Sequence, residues 1–402
     1  MIEKCCPSFQ KNSLKNYKFS VYRGIDELNT DEINPILYQK SVYFNPSYLK
    51  VMEISNSAIE PLYTVIYNKD KPVGFACFQL LKTQFSAPDS NVKGLVPTIH
   101  KTSMFLTGKS PLNIRFNVLV CGNAFITGEH GVAILEGVNK NEVMDVLAEA
   151  IIEIRKQKKQ EGTTIGVVLF KDFMSESLHI SNEIEEYGYS AFRADPNMVM
   201  EVNPAWKSFE DYKTALKSKF RTKLNKALKD SAELEVVNVN EHYFIEHLKE
   251  FKALYGQVEE KASFHLGAIK MNTFVELKKA FKEDFIVKCY LFEGKMVGYL
   301  TAFVQYNTLD AHFIGLDYEC NRRLGVYQRI LYDYVNIAIE RKLSRIKFGR
   351  TAGEIKTTIG AVPVDLTLYV KQSNKVLNFF TKYIMAGVKP NKFPVRRPFK
   401  AN

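Results

Sequence analysis

The sequence predicts an α/β (α+β) protein made of two tandem domains, each a mixed, mostly antiparallel sheet flanked by helices. Three observations carry this expectation. The chain has 402 residues, long for one domain and suited to two, and its 46% apolar and 25% charged residues allow a sizeable buried core. Apolar residues alternate in some stretches and recur every three to four residues in others, so strands and helices are interspersed. A stretch near the start also recurs near the end. Tyr67-Asn68-Lys69-Asp70-Lys71-Pro72-Val73-Gly74-Phe75 aligns with Phe292-Glu293-Gly294-Lys295-Met296-Val297-Gly298-Tyr299, with one extra turn residue in the first copy.

Residues 1–16 are expected to be disordered or loosely attached, and the first domain to span 17–203. Tyr17–Tyr22 alternates and reads as a strand. A short helix follows from Asp26. A second opens at Asn45-Pro46, with Asn45 as N-cap and Pro46 at the first helical position, where its missing N–H costs nothing. Tyr63–Tyr67 and Pro72–Leu80 form a hairpin around the turn cluster Asn68–Lys71. Residues 87–112, with Pro88, Pro97 and Pro111, read as an insertion. Ile114–Val120 is a strand that runs into the turn Gly128-Glu129-His130-Gly131. Asn141–Gln160 is a helix with Val143, Val146, Leu147, Ala150, Ile151 and Ile154 on one face, and Lys156, Lys158 and Lys159 suit the negative end of its dipole. Thr164–Phe170 is continuously apolar, as in a central strand. A short helix and a strand at Asn197–Val202 complete this half.

The second domain is expected over 204–388. Ser208, with Asp211 three residues on, caps a helix running to about Asp230 that has an apolar stripe and a lysine-rich face. Glu233–Val239 is a strand, followed by helices over His242–Glu260 and Met271–Lys282. Phe285–Phe292 and Met296–Gln305 form the second hairpin, Leu309–Gly315 the next strand, Leu324–Lys342 a long helix and Arg345–Phe348 another strand. Thr367–Val370 is the last strand and Lys375–Met385 the last helix. Residues 389–402 form a basic, Pro-containing tail expected to pack loosely.

The formal net charge of +11 favours a negatively charged partner, or simply keeps a lysine-rich surface soluble. The six cysteines include no C-x-x-C pair and no Cys/His set with zinc spacing, so no metal is expected and the scattered ones read as small core residues in a reducing compartment. The first twenty residues lack an apolar signal-peptide core, and no run of eighteen apolar residues occurs. A cytoplasmic protein is expected, with contact at the inner membrane surface open.

A strand–turn–strand ending in Val-Gly-aromatic, then a strand, a helix and a strand, twice in one chain, resembles the acyl-CoA N-acyltransferase (GNAT) fold in tandem. The residues that carry the resemblance are Lys219–Leu224, Gly294-Lys295-Met296-Val297-Gly298, Phe313–Asp317, Leu324-Gly325-Val326-Tyr327, Phe348-Gly349-Arg350 and Glu354-Ile355-Lys356. The chain is similar to the BioF2-like acetyltransferases and, more distantly, to the Fem aminoacyltransferases of peptidoglycan bridges. The resemblance implies two tandem GNAT-like domains and transfer of an acyl or aminoacyl group from an activated thioester or ester to an amine. It implies acyl-CoA as donor, held by Arg322, Arg323 and Gly325 at the start of the long helix, where backbone N–H groups receive a pyrophosphate. Tyr327 stands where that pattern has a small residue, which leaves an acyl carrier protein or aminoacyl-tRNA open as the donor instead. Small-molecule, lipid or cell-wall-precursor acceptors all remain open.

Site candidates follow from the chemistry of acyl transfer, which needs a base, an oxyanion donor and a grip on the donor. In this fold the donor lies along the strand Leu309–Gly315, so backbone N–H groups of Ile314, Gly315 and Leu316 are oxyanion candidates. Asp317 is a base or a turn cap. Tyr327 is a general acid or a buried aromatic. His312, between apolar neighbours, reads as a structural histidine. Arg350, Glu354 and Lys356 crowd a turn between glycines: Glu354 is a base candidate, with Arg350 and Lys356 as anion holders or a solvated ion pair. Glu129 and His130 form an acid/base pair or substrate clamp, or an ordinary glycine turn. Arg221 on the basic helix is a phosphate contact or a solvated face. Two functions follow: an acyltransferase with its site on the second domain and an acceptor cleft shaped by the first, or a non-catalytic GNAT-like module binding a lipid, carrier protein or RNA.

Overall fold

The structure is a computed structural model and describes residues 9–12, 16–37, 41–85, 114–177, 183–261 and 269–400. The insertion expected over 87–112, most of the N-terminal segment, and Cys5 and Cys6 lie outside the described residues.

In the first half, β1 (Phe9–Asn12) and β2 (Tyr17–Tyr22) lead to helices α1 (Thr30–Leu37) and α2 (Pro46–Ser55). Asn45 caps α2 as expected: its side chain accepts from the Ser47 N–H, and Pro46 occupies the first turn. The hairpin β3 (Ile59–Asn68) and β4 (Lys71–Phe85) is followed by β5 (Ile114–Cys121), the short β6 (Val132–Ile134), α3 (Lys140–Gln160) and β7 (Ile165–Met174). The six apolar residues predicted on one face of α3 are all buried, the valines, leucine and isoleucines each contributing roughly 1.5–3 kcal/mol by leaving water. A short α4 (Glu183–Glu186) precedes β8 (Ser190–Glu201).

The second half runs α5 (Phe209–Ala215), α6 (Ser218–Asp230), β9 (Glu235–Asn238), α7 (Glu241–Glu246), α8 (Leu248–Glu260), α9 (Met271–Phe281), β10 (Phe285–Phe292), β11 (Lys295–Gln305) and β12 (Thr308–Leu316). It closes with α10 (Tyr318–Leu324), α11 (Val326–Glu340), β13 (Arg345–Lys347), α12 (Gly353–Thr357), β14 (Val362–Gln372) and α13 (Lys375–Ala386).

The repeat has its structural counterpart. β5 runs parallel to β7 across α3, and β12 runs parallel to β13 across α11. The closing strands are exchanged: β14 pairs with β7 of the first half, β8 pairs with β13 of the second, and β8 and β14 pair with each other. One continuous sheet results, ordered β1-β2-β3-β4-β5-β7-β14-β8-β13-β12-β11-β10-β9.

Three expectations are corrected. The helix expected from Ser208 to Asp230 has its capping box at Ser208 and Asp211 but breaks at Leu216, where the C-terminal tail adds backbone bonds. Lys217 N–H donates to the Pro398 carbonyl at 2.8 Å and Lys400 N–H to that of Ala215 at 3.0 Å. The tail therefore does not pack loosely: Phe399 lies against Trp206 and Tyr212, with ring centroids 5.3 and 6.0 Å away. The long helix begins at Val326, because Gly325, at φ +61°, separates it from α10. Cys77, Cys121 and Cys289 are free and buried, as expected of small core residues.

Candidate active site

A cleft of about 620 Å³ opens over the exchanged strands at the middle of the sheet. Its floor is formed by Asn197 and Val199 of β8, Lys347 of β13 and Leu366 of β14; Glu129 and His130 form one wall and Tyr306 the other. Both halves of the sequence line it.

The wall is set by a bulge in β7. Lys171 and Asp172 stand opposite the single residue Leu368, since Phe170 pairs with Tyr369 and Phe173 with Thr367. Asp172 takes φ +67° there and is fully buried. Its carboxylate accepts from Lys171 Nζ at 2.7 Å, from the Gly128 N–H at 3.0 Å, and from Arg350 Nη2. Burial pushes this carboxyl up, but the Lys171 and Arg350 charges outweigh it and hold it below the ordinary aspartate range. Burial holds the Lys171 ammonium below its usual value. Gly128 is needed beside His130: at φ +131°, a Cβ there would lie 2.6 Å from His130 Nε2.

His130 is buried, 4.4 Å from the Tyr43 ring by centroids, with Nε2 3.3 Å from the Thr127 carbonyl and Nδ1 without a partner. Burial, then the nearby Lys347 and Lys171 charges, lower its pKa to about 3, so the imidazole is neutral at physiological pH. The Glu129 carboxylate accepts from the Met174 N–H at 3.1 Å, and burial raises its pKa. Beyond Tyr43, Asp310 of β12 is buried beside its register partner Lys347. Burial, partly offset by Lys347 and the Tyr43 hydroxyl, moves the Asp310 carboxyl up to about 6. Asp310 Oδ2, Tyr43 Oη and Asn197 Oδ1 are buried without a well-formed hydrogen bond. Buried polar atoms without well-formed hydrogen bonds are costly to fold.

Asp310 also marks a fork. β13 accompanies β12 only from Thr308 to Asp310. Beyond it, Asp317 N–H donates to the Val297 carbonyl at 2.9 Å, so the antiparallel alternation turns the Leu316 and Ile314 N–H groups away from β11, toward the side β13 has left. Gly315 is required by packing, since a Cβ there would lie 2.0 Å from Tyr299 Cε1.

Of the residues singled out in the sequence, Glu129 and His130 line the cleft; Asp317, Tyr327, Arg322, Arg323, Gly325, Arg350, Glu354, Lys356 and Arg221 do not. Asp317 caps α10, accepting from the Glu319 and Cys320 N–H groups. Glu354 is exposed and pairs with Arg396 at 2.7 Å. Lys356 is buried, donates to the Phe348 carbonyl at 2.6 Å, and is lowered to about 7 by burial. Arg350 acts from behind the wall through Asp172. Arg221 lies half-buried on α6. His312 is packed by Phe274, Phe285 and Phe303 and lowered by burial to about 3; its Nδ1 is 3.3 Å from Thr301 Oγ1 and its buried Nε2 has no hydrogen-bond partner.

The pyrophosphate loop is also corrected. Arg322 and Arg323 belong to α10 rather than a loop, Arg323 lies over the Phe292 ring at 4.4 Å, and the Tyr327 N–H at the start of α11 is taken by Asn321 Oδ1 at 2.8 Å. The Gly325 N–H is likewise bonded to the Asn321 carbonyl, so two of the N–H groups at this helix start are already held within the chain. Sequence reasoning passed over Asp310, Lys347, Asn197, Tyr43 and Asp172. The available signals were a charge inside each apolar strand, Asp310 in Thr308–Phe313 and Lys171-Asp172 in Ile165–Phe173.

No family model and no curated protein matches the chain. Among solved structures, FemX superposes over 88% of this chain and 98% of its own with TM-score 0.53 at 10% identity. The fold is shared with FemX. A tandem GNAT protein from the clavulanic acid biosynthesis pathway covers 89% of this chain and 99% of its own (TM-score 0.49, 7% identity), and L-PGS from Bacillus licheniformis covers 89% and 97% (0.45, 10%). The mixed, mostly antiparallel sheet flanked by helices that the sequence predicts is the fold observed, and identities this low speak to fold alone.

Proposed function

We propose that the protein is an acyltransferase that moves an acyl or aminoacyl group from an activated thioester or ester to an amine, with two units meeting at residues 203–204. The observation that supports this reading is Asp310: a buried carboxyl with an ordinary pKa displaced toward neutrality, at the fork of β12 and β13 and behind the cleft. A base is most useful when its pKa lies near the working pH. An ammonium group held between Glu129 and Asn197 gives its proton to Asp310. The free amine attacks the acyl carbonyl carbon and the C–N bond forms; Asp310 passes its proton to the departing sulfur or oxygen as the donor C–S or C–O bond breaks, and the carboxylate then takes the second amine proton and releases it to solvent. Lys347 offsets the oxyanion charge. Neutral His130 orients the acceptor.

The test is a transfer assay with a panel of amines and three donors: acyl-CoA thioesters, an acylated carrier protein and aminoacyl-tRNA. Turnover of one donor that Asp310→Asn removes, in a protein that still folds, supports the reading. Saturable binding without turnover points to the non-catalytic module, and full activity of Asp310→Asn overturns the assigned base.

A further inference from the structure

The last helix, α13, is turned inside out. Val376, Leu377, Phe379, Phe380 and Tyr383 are 66%, 53%, 63%, 51% and 65% exposed. At about 100° per residue, Val376, Phe379, Phe380 and Tyr383 share one face. The helix is capped by Asn374 and tied to the sheet through Asn378, with Met385 packed on an apolar cluster beneath it. Asn374 Oδ1 accepts from the Val376 and Leu377 N–H groups, and Asn378 accepts from the Gln372 N–H at 2.8 Å and donates to the Gly188 carbonyl at 2.9 Å. Thr381 is buried, with its hydroxyl on the Leu377 carbonyl at 2.8 Å. An amphipathic helix of a globular chain normally buries its aromatic face; this one presents it.

The charged residues in this stretch of sequence are of one sign. From residue 371 to the end, Lys371, Lys375, Lys382, Lys389, Lys392, Arg396, Arg397 and Lys400 occur and no aspartate or glutamate does. The acidic groups that meet this segment are Glu354, on Arg396, and Asp195, on Asn391. Val388 and Val395 add exposed apolar area beyond the helix. Among the described residues no helix is long and apolar enough to cross a membrane. An aromatic and aliphatic face rimmed by lysines is the pattern of a helix lying in a bilayer interface, with its apolar side among the acyl chains and its basic rim on anionic headgroups.

We propose that α13 docks the protein on an anionic lipid surface. A second copy would bring two all-basic rims together, and RNA would make no use of Val376 and Leu377. The inference stands on exposure and charge, independently of acyl transfer, and a binding assay reads it alone.

Full-length protein is sedimented with vesicles of phosphatidylcholine, alone or with a minority of phosphatidylglycerol. Binding to the anionic vesicles should exceed binding to the neutral ones by about tenfold or more. The combined Phe379→Ser, Phe380→Ser, Tyr383→Ser variant should lose it with an unchanged melting temperature, because these side chains are exposed. Lys375→Gln with Lys382→Gln should weaken only the anionic binding. The proposal is overturned if wild-type protein stays in the supernatant or the triple variant binds as well as wild type. It is equally overturned if the triple variant instead abolishes a dimer seen by light scattering, or retention of RNA.

Discussion

Arg350 of the second half and Asp172 of the first form an ion pair behind the cleft, and the other Asp172 oxygen is shared by Lys171 Nζ and the Gly128 N–H. One fully buried carboxylate thus ties the loop after β13 to the turn that carries Glu129 and His130.

Removing Arg350 leaves that carboxylate with Lys171 as its one cationic partner. Arg350→Met should destabilise the fold by about 3 kcal/mol, the cost typical of breaking a buried pair from one side. Asp172→Asn should cost a similar amount, and the double variant less than the sum. Urea denaturation of the four proteins measures the coupling. Because the folded Asp172 pKa lies below its unfolded value, this stabilisation is present above about pH 4 and is lost as the pH falls through the folded pKa.

Asp310 should show the opposite sign. Its folded pKa is raised to about 6, so its favourable contribution is complete below its unfolded pKa near 4 and is lost as the pH rises through 6. At pH 8 the buried carboxylate is a cost, and Asp310→Asn should raise stability by on the order of 1–3 kcal/mol while removing transfer activity. In the wild type, kcat/KM should rise with one-proton dependence through about pH 6. His130, lowered to about 3, is already neutral there and cannot give that limb.

Gly128→Ala tests the wall. The added methyl meets His130 Nε2, and the backbone must keep φ +131°. A loss of about 1–3 kcal/mol in stability is expected from strain of this kind. Activity should fall further than stability explains, since the imidazole is displaced; thermal unfolding and kcat compared in one preparation separate the two.

The single tryptophan reports the tail. Trp206 lies against Tyr212 and Phe399. Truncation after Val388 should expose the indole, shift its emission to longer wavelength and lower the melting temperature; Phe399→Ala should reproduce most of the shift. An unchanged spectrum would mean that the tail leaves Trp206 free in solution.

Local signals in this chain were dependable where one segment decides its own conformation. The Asn45-Pro46 cap, the Ser208/Asp211 capping box and the apolar face of α3 were legible because their partners lie within a turn or two. The helix expected through Leu216 failed because its competitor, Phe399, is remote in sequence. At Asp317 and Glu354 the residue types left two readings open, and the contacts observed are a helix cap and an ion pair with Arg396.

By itself the sequence determined the element order, the repeated hairpin–strand–helix–strand plan and hence the fold class, since these rest on periodicity and short-range caps. Only the tertiary structure decided where the cleft lies. The exchange of β8 and β14 brings Glu129 and His130 to Lys347 and Asp310. Burial then moves the Asp310 carboxyl toward neutrality and leaves the aromatic face of α13 in solvent, and desolvation and exposure belong to the folded surface, not to the order of residues.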